Sequence, residues 1–306
     1  MKLAEGASLE PWTDKTISEY RPMSLAKEKD YFTLMHGALW NEGFVIRVKK
    51  NTEARLRLAI DTPAHLVMSH VVIFLDEGAI LDYQEDHTSS GAGSRNDYVE
   101  IYCGPGSILK YTSKIDWKEN VSGITSIKSR LDKDSSTTLA FFGFGGDKVR
   151  NHVSQEFAGE GSSSRVLGAY FGRGSSHLDL TADAHHLVPN TTCNILYKGA
   201  LSASASSVFR GKIKIEKEAQ NTNSFLEDHC LILSPDAVSD SIPSLEIDAN
   251  EVKASHGATI GKPDEEEIFY LMARGIAKED AERLIISGFF SEIFQEAGVD
   301  PVPLER

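Results

Sequence analysis

From about residue 31 to residue 252, apolar and polar positions alternate in short runs broken by Gly, Ser, Asn and Asp. Phe209, Gly211, Ile213 and Ile215 fall on one face, with Arg210, Lys212 and Lys214 on the other, as a half-buried strand requires. Leu178 and Leu180 alternate with His177, Asp179 and Thr181, and Leu245 and Ile247 alternate with Ser244, Glu246 and Asp248. Residues 71–75 form a continuous apolar strand, after which Asp76-Glu77-Gly78 turns the chain into Ala79-Ile80-Leu81. No stretch of this region carries a helical period. A long series of short strands predicts a barrel, a sandwich or a solenoid. No strict repeat chooses among them, and the Ser-rich runs at 162–164 and 202–207 suit solenoid corners and surface loops equally.

The two ends differ in texture. Residues 1–30 hold few apolar anchors, with Pro11 and Pro22 as breakers, and are expected to form a short helix or an N-terminal arm with loose connections. Near the other end, Pro263 and Asp264 open a helix whose first turn carries Glu265, Glu266 and Glu267, where acids complement the helix dipole. Ile268, Leu271 and Met272 form its apolar stripe, Arg274 sits in its last turn, and Gly275 is its expected stop. A second helix, from about Lys278 to Gly298, presents Ala281, Leu284, Ile285, Phe289 and Ile293. Gly288 in its middle lowers helix propensity and is expected to admit a close neighbour. The resulting division is an arm at 1–30, a β core at 31–255 and a helical domain at 256–306.

Charge and cysteine content narrow the chemistry. A formal net charge of −13 over 306 residues argues against a general nucleic-acid binder, which needs basic stripes to displace counterions. Cys103, Cys193 and Cys230 are too few and too widely spaced for a disulfide framework or a C-x-x-C zinc pattern. No apolar run follows Lys2, and the longest apolar stretch, 66–75, is interrupted by Ser69 and His70. The expectation is therefore a cytoplasmic protein with no membrane span. There is no P-loop, G-x-S-x-G elbow or H-E-x-x-H helix. Gly143-Phe144-Gly145-Gly146 lacks the following helix that a dinucleotide site requires. It reads as strand with close backbone approach.

A set of motifs in one order completes the picture. His177-Leu178-Asp179-Leu180, His185-His186, Asn190-Thr191-Thr192, Tyr197-Lys198-Gly199 and Val208-Phe209-Arg210-Gly211 lead to Pro243-Ser244-Leu245-Glu246-Ile247. Next come Ala254-Ser255-His256-Gly257-Ala258-Thr259-Ile260-Gly261, Phe269-Tyr270-Leu271, Arg274-Gly275 and Gly288-Phe289. Over roughly its last half the chain resembles the SufB/SufD family of iron–sulfur cluster assembly scaffolds, and its SufD branch more closely. The resemblance implies a mainly β fold, a right-handed parallel β-helix core with a C-terminal α-helical hairpin. It implies a non-enzymatic scaffold, a SufC-like ABC ATPase held by the hairpin, and a second SufB/SufD-type subunit beside the core. The chain is short for the family, so a homodimer with two ATPases is the expected assembly. Glu266, Phe269, Tyr270, Arg274 and Phe289 are the expected docking residues.

The cofactor implied is a transient iron–sulfur cluster; a flavin is compatible with the resemblance but indicated by no residue. His256 matches the family's functional histidine. Counting back from Pro243, the place of the SufB-type cysteine is taken by Asp228, with Cys230 two residues on and on the same strand face. The plainer readings are a structural histidine where core meets helices and a small buried thiol. A reading from another class is a β-helix or cupin-like metal-dependent hydrolase using His177, Asp179 and His185, whose spacing supplies no third ligand of a known fingerprint.

Overall fold

The structure is a computed structural model that describes residues 6–13 and 31–300. Strands β1 (Ala7–Pro11) and β2 (Glu42–Val48) pair antiparallel, and every other strand pairing among the described residues is parallel. Successive strands alternate between two sheets. One runs β1-β2-β4-β6-β8-β10-β12-β14-β16 and the other β17-β15-β13-β11-β9-β7-β5-β3, where β3 is Glu53–Thr62, β5 is Ile80–Ser89 and β7 is Ile108–Ile115. That alternation is a parallel β-solenoid of about eight coils. The elements bearing on function are β4 (Leu66–Leu75), β6 (Ser94–Cys103), β8 (Ser122–Leu131), β9 (Ser136–Gly143), β10 (Lys148–Phe157), β11 (Ser163–Gly172) and β12 (His177–His186). To these add β13 (Thr192–Leu201), β14 (Ser206–Ile215), β15 (Asn223–Ile232), β16 (Val238–Ile247) and β17 (Lys253–Gly261).

The period-two pattern sets which side chains fill the coils. Phe209, Gly211, Ile213 and Ile215 point inward and are buried, while Arg210 is exposed. Leu178, Leu180, Ala182 and Ala184 form the next layer, one strand over in register. Left-handed corners are taken by Asn51, Asp134, Asn190 and Asn221, residues that tolerate positive φ. At Gly78, φ is +66° and a Cβ would lie 2.3 Å from Asn51 Oδ1, so a side chain here would strain the turn and displace the Asn51 amide. Gly145 approaches the Trp117 carbonyl so closely that a Cβ would lie 2.1 Å from its oxygen, as expected for the Gly-rich run.

Among the described residues, three helices decorate the solenoid: α1 (Tyr31–Leu39), α2 (Glu265–Ala273) and α3 (Lys278–Ala297). Helix α1 corrects the expectation that no helix lies between 31 and 252. Its buried positions are Thr33 and His36, both polar, so no apolar stripe marked it. Helix α2 begins as expected, with the Asp264 carboxylate accepting from Glu266 N at 2.8 Å, and ends at Arg274 with Gly275 at φ +89°. Helix α3 ends on Gly298 in the left-handed region.

The face that α3 buries is rotated from the expected one. Ala281, Ile286, Phe290, Ile293, Phe294 and Ala297 are buried, while Leu284 is 53% exposed. Of the buried residues, all but Ala281 pack on outward-facing Phe142, Leu167, Ala169, Phe171 and Leu196 of β9, β11 and β13, and Phe142 stacks on Phe294 at 5.3 Å. The adjacent pairs Ile285-Ile286 and Phe289-Phe290 make either of two neighbouring stripes apolar, and sheet contact selects one. Gly288 faces open space, so its expected close neighbour is absent among the described residues. The domain edge placed at 255/256 falls inside β17, which carries the solenoid to Gly261. Of the arm at 1–30, residues 7–11 form β1; positions 1–5 and 14–30 lie outside the described residues.

Candidate functional site

The candidate site is built on the last two strands of one sheet. On β15, Ser224, Leu226, Asp228 and Cys230 face the interior and are buried. In the parallel register Leu226 lies beside His256, Asp228 beside Ala258 and Cys230 beside Ile260. Register neighbours share a face, so His256 occupies an inward-facing position one coil beyond Leu226, diagonal to Asp228. It is exposed because β17 is the last strand of its sheet. The structure thus brings His256, Asp228 and Cys230 to one face at the open end of the solenoid.

Asp228 is fully buried, and neither carboxylate oxygen has a hydrogen-bond partner among the described residues. Burial pushes its carboxyl up to about 6, because the low-dielectric interior penalises the charged form. Ser241 on β16 is near enough to oppose that shift without meeting hydrogen-bonding geometry. Burial likewise raises the Cys230 thiol, with Ser239 and Tyr170 opposing. Hydroxyls surround that thiol: Ser207 Oγ lies 2.8 Å from Ser239 Oγ and 3.5 Å from the Tyr170 hydroxyl. The thiol therefore rests neutral until a metal displaces its proton.

Carboxylate oxygen, thiol sulfur and imidazole nitrogen form a mixed donor set suited to iron. As they stand, no three His, Cys, Asp or Glu side chains among the described residues are close enough to hold one ion. Cys103 and Cys193 are buried free thiols raised to about 12 by burial. They sit in the core, as packing residues do.

The hydrolase trio is not brought together. His177 and His185 lie eight residues apart on β12, about 26 Å along an extended strand. His177 Nδ1 is 2.9 Å from Ser206 Oγ, Asp179 accepts from Arg210 at 2.6 Å, and His185 is 2.7 Å from Glu216. Each outward side chain is satisfied by the neighbouring coil. His186 points inward, between Thr191 and Ser224 and stacked on Phe157, and burial depresses it to about 3.

The expected docking residues split. Phe269 and Tyr270 are 71% and 57% exposed, and the Arg274 guanidinium lies 4.7 Å from the Tyr270 ring. Glu266 is exposed on the first turn of α2. Phe289 instead sits half-buried between Phe290 and the Lys198 ammonium, 5.2 Å from its ring. Sequence reasoning missed exposed Leu284 on α3 and exposed Val238, Ile242 and Ile260 on the edge strands β16 and β17. The outward parity of Val238 and Ile242 against Ser239, Ser241 and Pro243 was the available signal.

No helix among the described residues is long and apolar enough to cross a membrane. Residues 58–289 match the family model described as SUF system FeS cluster assembly, SufBD core domain. An iron–sulfur cluster assembly SufBD family protein of Mycobacterium tuberculosis is 30% identical over 275 residues, covering 86% of this chain and 69% of that protein. One from Mycobacterium leprae is 33% identical over 69% of this chain and 56% of its own length. One from Staphylococcus epidermidis is 25% identical over 92% of this chain and 62% of its own length. A parallel β-solenoid that ends in an acid–thiol–imidazole face, matched over most of its length by these proteins, belongs to the SufBD family of iron–sulfur cluster assembly.

Proposed function

We propose that this chain is a non-enzymatic, cytoplasmic scaffold subunit of a SUF-type cluster assembly complex, of the SufD-like kind. Iron and sulfide are its cargo. The observation that carries the reading is the shared face of Asp228, Cys230 and His256 at the open end of the solenoid. There a buried carboxylate without a partner lies one coil below an exposed imidazole.

The α2–α3 hairpin, with Phe269, Tyr270, Arg274 and Glu266 outward, is the surface for a SufC-like ABC ATPase. Strands β16 and β17, each the last of its sheet, present exposed Val238, Ile242 and Ile260 to a second subunit, a copy of this chain in the simplest assembly. Pairing there supplies ligands from two chains where one chain has too few. Nucleotide-driven closure of two ATPases would pull on the hairpins and open that interface, since α3 is tied to the sheet by Arg165–Glu296 and Lys198–Glu292 ion pairs.

Co-expression with the ABC ATPase, followed by iron and sulfide analysis of the purified complex, tests this. A stable complex that acquires cluster absorbance in wild type and loses it in Cys230→Ser and His256→Ala supports it. A complex whose variants load as well as wild type reduces the protein to an ATPase-positioning subunit.

A further inference from the structure

One of the hydroxyls around the Cys230 thiol comes from two coils away. Tyr170 of β11, Gly199 of β13 and Cys230 of β15 are register partners in one inward row. Two strand spacings, about 10 Å, separate the first from the last. To meet the thiol, the phenol has to lie along the row and across Gly199. It does: a Cβ at Gly199 would stand 2.0 Å from Tyr170 Cζ and 2.4 Å from its hydroxyl oxygen. The absence of a side chain at 199 therefore sets where the Tyr170 hydroxyl sits.

The opposite sheet supplies two more hydroxyls. Ser207 and Ser239 are register neighbours on β14 and β16, with their Oγ atoms 2.8 Å apart. Ser207 Oγ is also 3.5 Å from the Tyr170 hydroxyl. All four side chains are buried. Burial raises the Cys230 thiol, and the hydroxyls of Ser239, Tyr170 and Ser207 lie near enough to oppose that rise. The three hydroxyls thus form a chain whose two ends, Tyr170 and Ser239, both stand beside the sulfur. Whichever way the donors run along that chain, one O–H is left over at an end, and the sulfur is there to accept it. A neutral thiol accepts weakly, whereas a thiolate accepts a charge-assisted bond. The other two thiols have a different setting: Cys103 has the hydroxyl of Ser107 nearby, and Cys193 has the Gln155 amide at 4.0 Å.

We infer that Tyr170 is a positioning residue for the Cys230 sulfur. Its hydroxyl, linked to Ser207 and Ser239, donates to the thiolate that forms when a metal ion binds and the thiol proton leaves to solvent. Gly199 keeps the way open for the phenol. The inference rests on Cys230 as an iron ligand, as proposed above. Tyr170 touches that ligand and not the metal, and such outer partners strengthen metal binding and tune cluster potentials.

Two readouts on the full chain test this. In the metal-free protein, the infrared S–H stretching band that Cys230→Ser removes belongs to Cys230, and Tyr170→Phe should move it. In titrations with cobalt(II), standing in for iron(II), the thiolate-to-cobalt charge-transfer band that Cys230→Ser removes should report about tenfold weaker affinity in Tyr170→Phe. That variant keeps the ring, so a purely packing role would leave both readouts where they are. Gly199→Ala should reproduce both effects by displacing the phenol. Tyr197→Phe, whose lost hydroxyl faces Asn151 at 3.4 Å, should produce neither. If Tyr170→Phe leaves the S–H band in place or the cobalt affinity unchanged, the role of Tyr170 is overturned while Cys230 stands as a ligand. A wild type with no Cys230-dependent cobalt band overturns the ligand reading and this inference with it.

Discussion

Asp228 and His256 face the same way across the β15–β17 pair, two residues out of step: Asp228 lies beside Ala258, and His256 beside Leu226. One carboxylate is sealed in the last closed coil, and one imidazole is exposed on the coil above it. A ligand entering at the solenoid end meets the imidazole first.

The sealed carboxylate makes stability depend on pH. Its folded value of about 6 lies above the ordinary aspartate value of 3.8 that applies in the unfolded chain. Its stabilising proton is therefore fully present below about pH 4 and lost as pH rises through 6. The penalty at pH 7.5 is about 2–3 kcal/mol. Asp228→Asn should raise the melting temperature at pH 7.5, leave it nearly unchanged at pH 4, and abolish iron loading. Melting curves at the two pH values check the first two, and metal analysis the third.

Histidine burial acts at the acid end with the opposite sign. His36 and His186 are both depressed to about 3 by burial, with His70 and His185 as the neighbouring repulsive groups. Their contribution is present above pH 6.5 and lost as pH falls from there towards 3. Stability should therefore fall below pH 6 with net proton uptake. His186→Gln, which can still hydrogen-bond Thr191 or Ser224, should remove about one proton from that slope. Urea denaturation across pH 4–7 measures it.

Packing of α3 rests on a few aromatic side chains. Phe290→Ala and Phe294→Ala should each cost about 3–5 kcal/mol, whereas exposed Leu284→Ala should cost under about 0.5 kcal/mol. Chemical denaturation separates these outcomes.

Much of this was legible in the residues, for physical reasons. Strand alternation places Leu178 and Leu180 of β12 and Phe209, Gly211, Ile213 and Ile215 of β14 inward correctly, because a period of two leaves no ambiguity of face. The Asp264 cap and the Gly275 and Gly298 stops bounded both C-terminal helices. The buried stripe of α3 was not legible: Ile285-Ile286 and Phe289-Phe290 are equally apolar, and only contact with Phe142 and Leu167 breaks the tie. Helix α1 escaped because it buries Thr33 and His36. The shared face of His256 and Cys230 needed the coil register, which sequence without repeats does not supply.

Hairpin exposure leads to a separable defect. Phe269→Ala with Tyr270→Ala should abolish ATPase binding in a pull-down while shifting the melting temperature by less than about 2 °C, since both rings are mostly exposed.

If the solenoid end assembles clusters and the hairpin holds the ATPase, the two roles separate by mutation. The most direct measurement is the iron, sulfide and ATPase content of the complex purified without oxygen, for wild type and for the double variant Cys230→Ser with His256→Ala. Equal ATPase content is expected in both, with cluster iron and sulfide in the wild type alone. Equal cluster content in both, or a wild-type complex that never carries cluster, would contradict it.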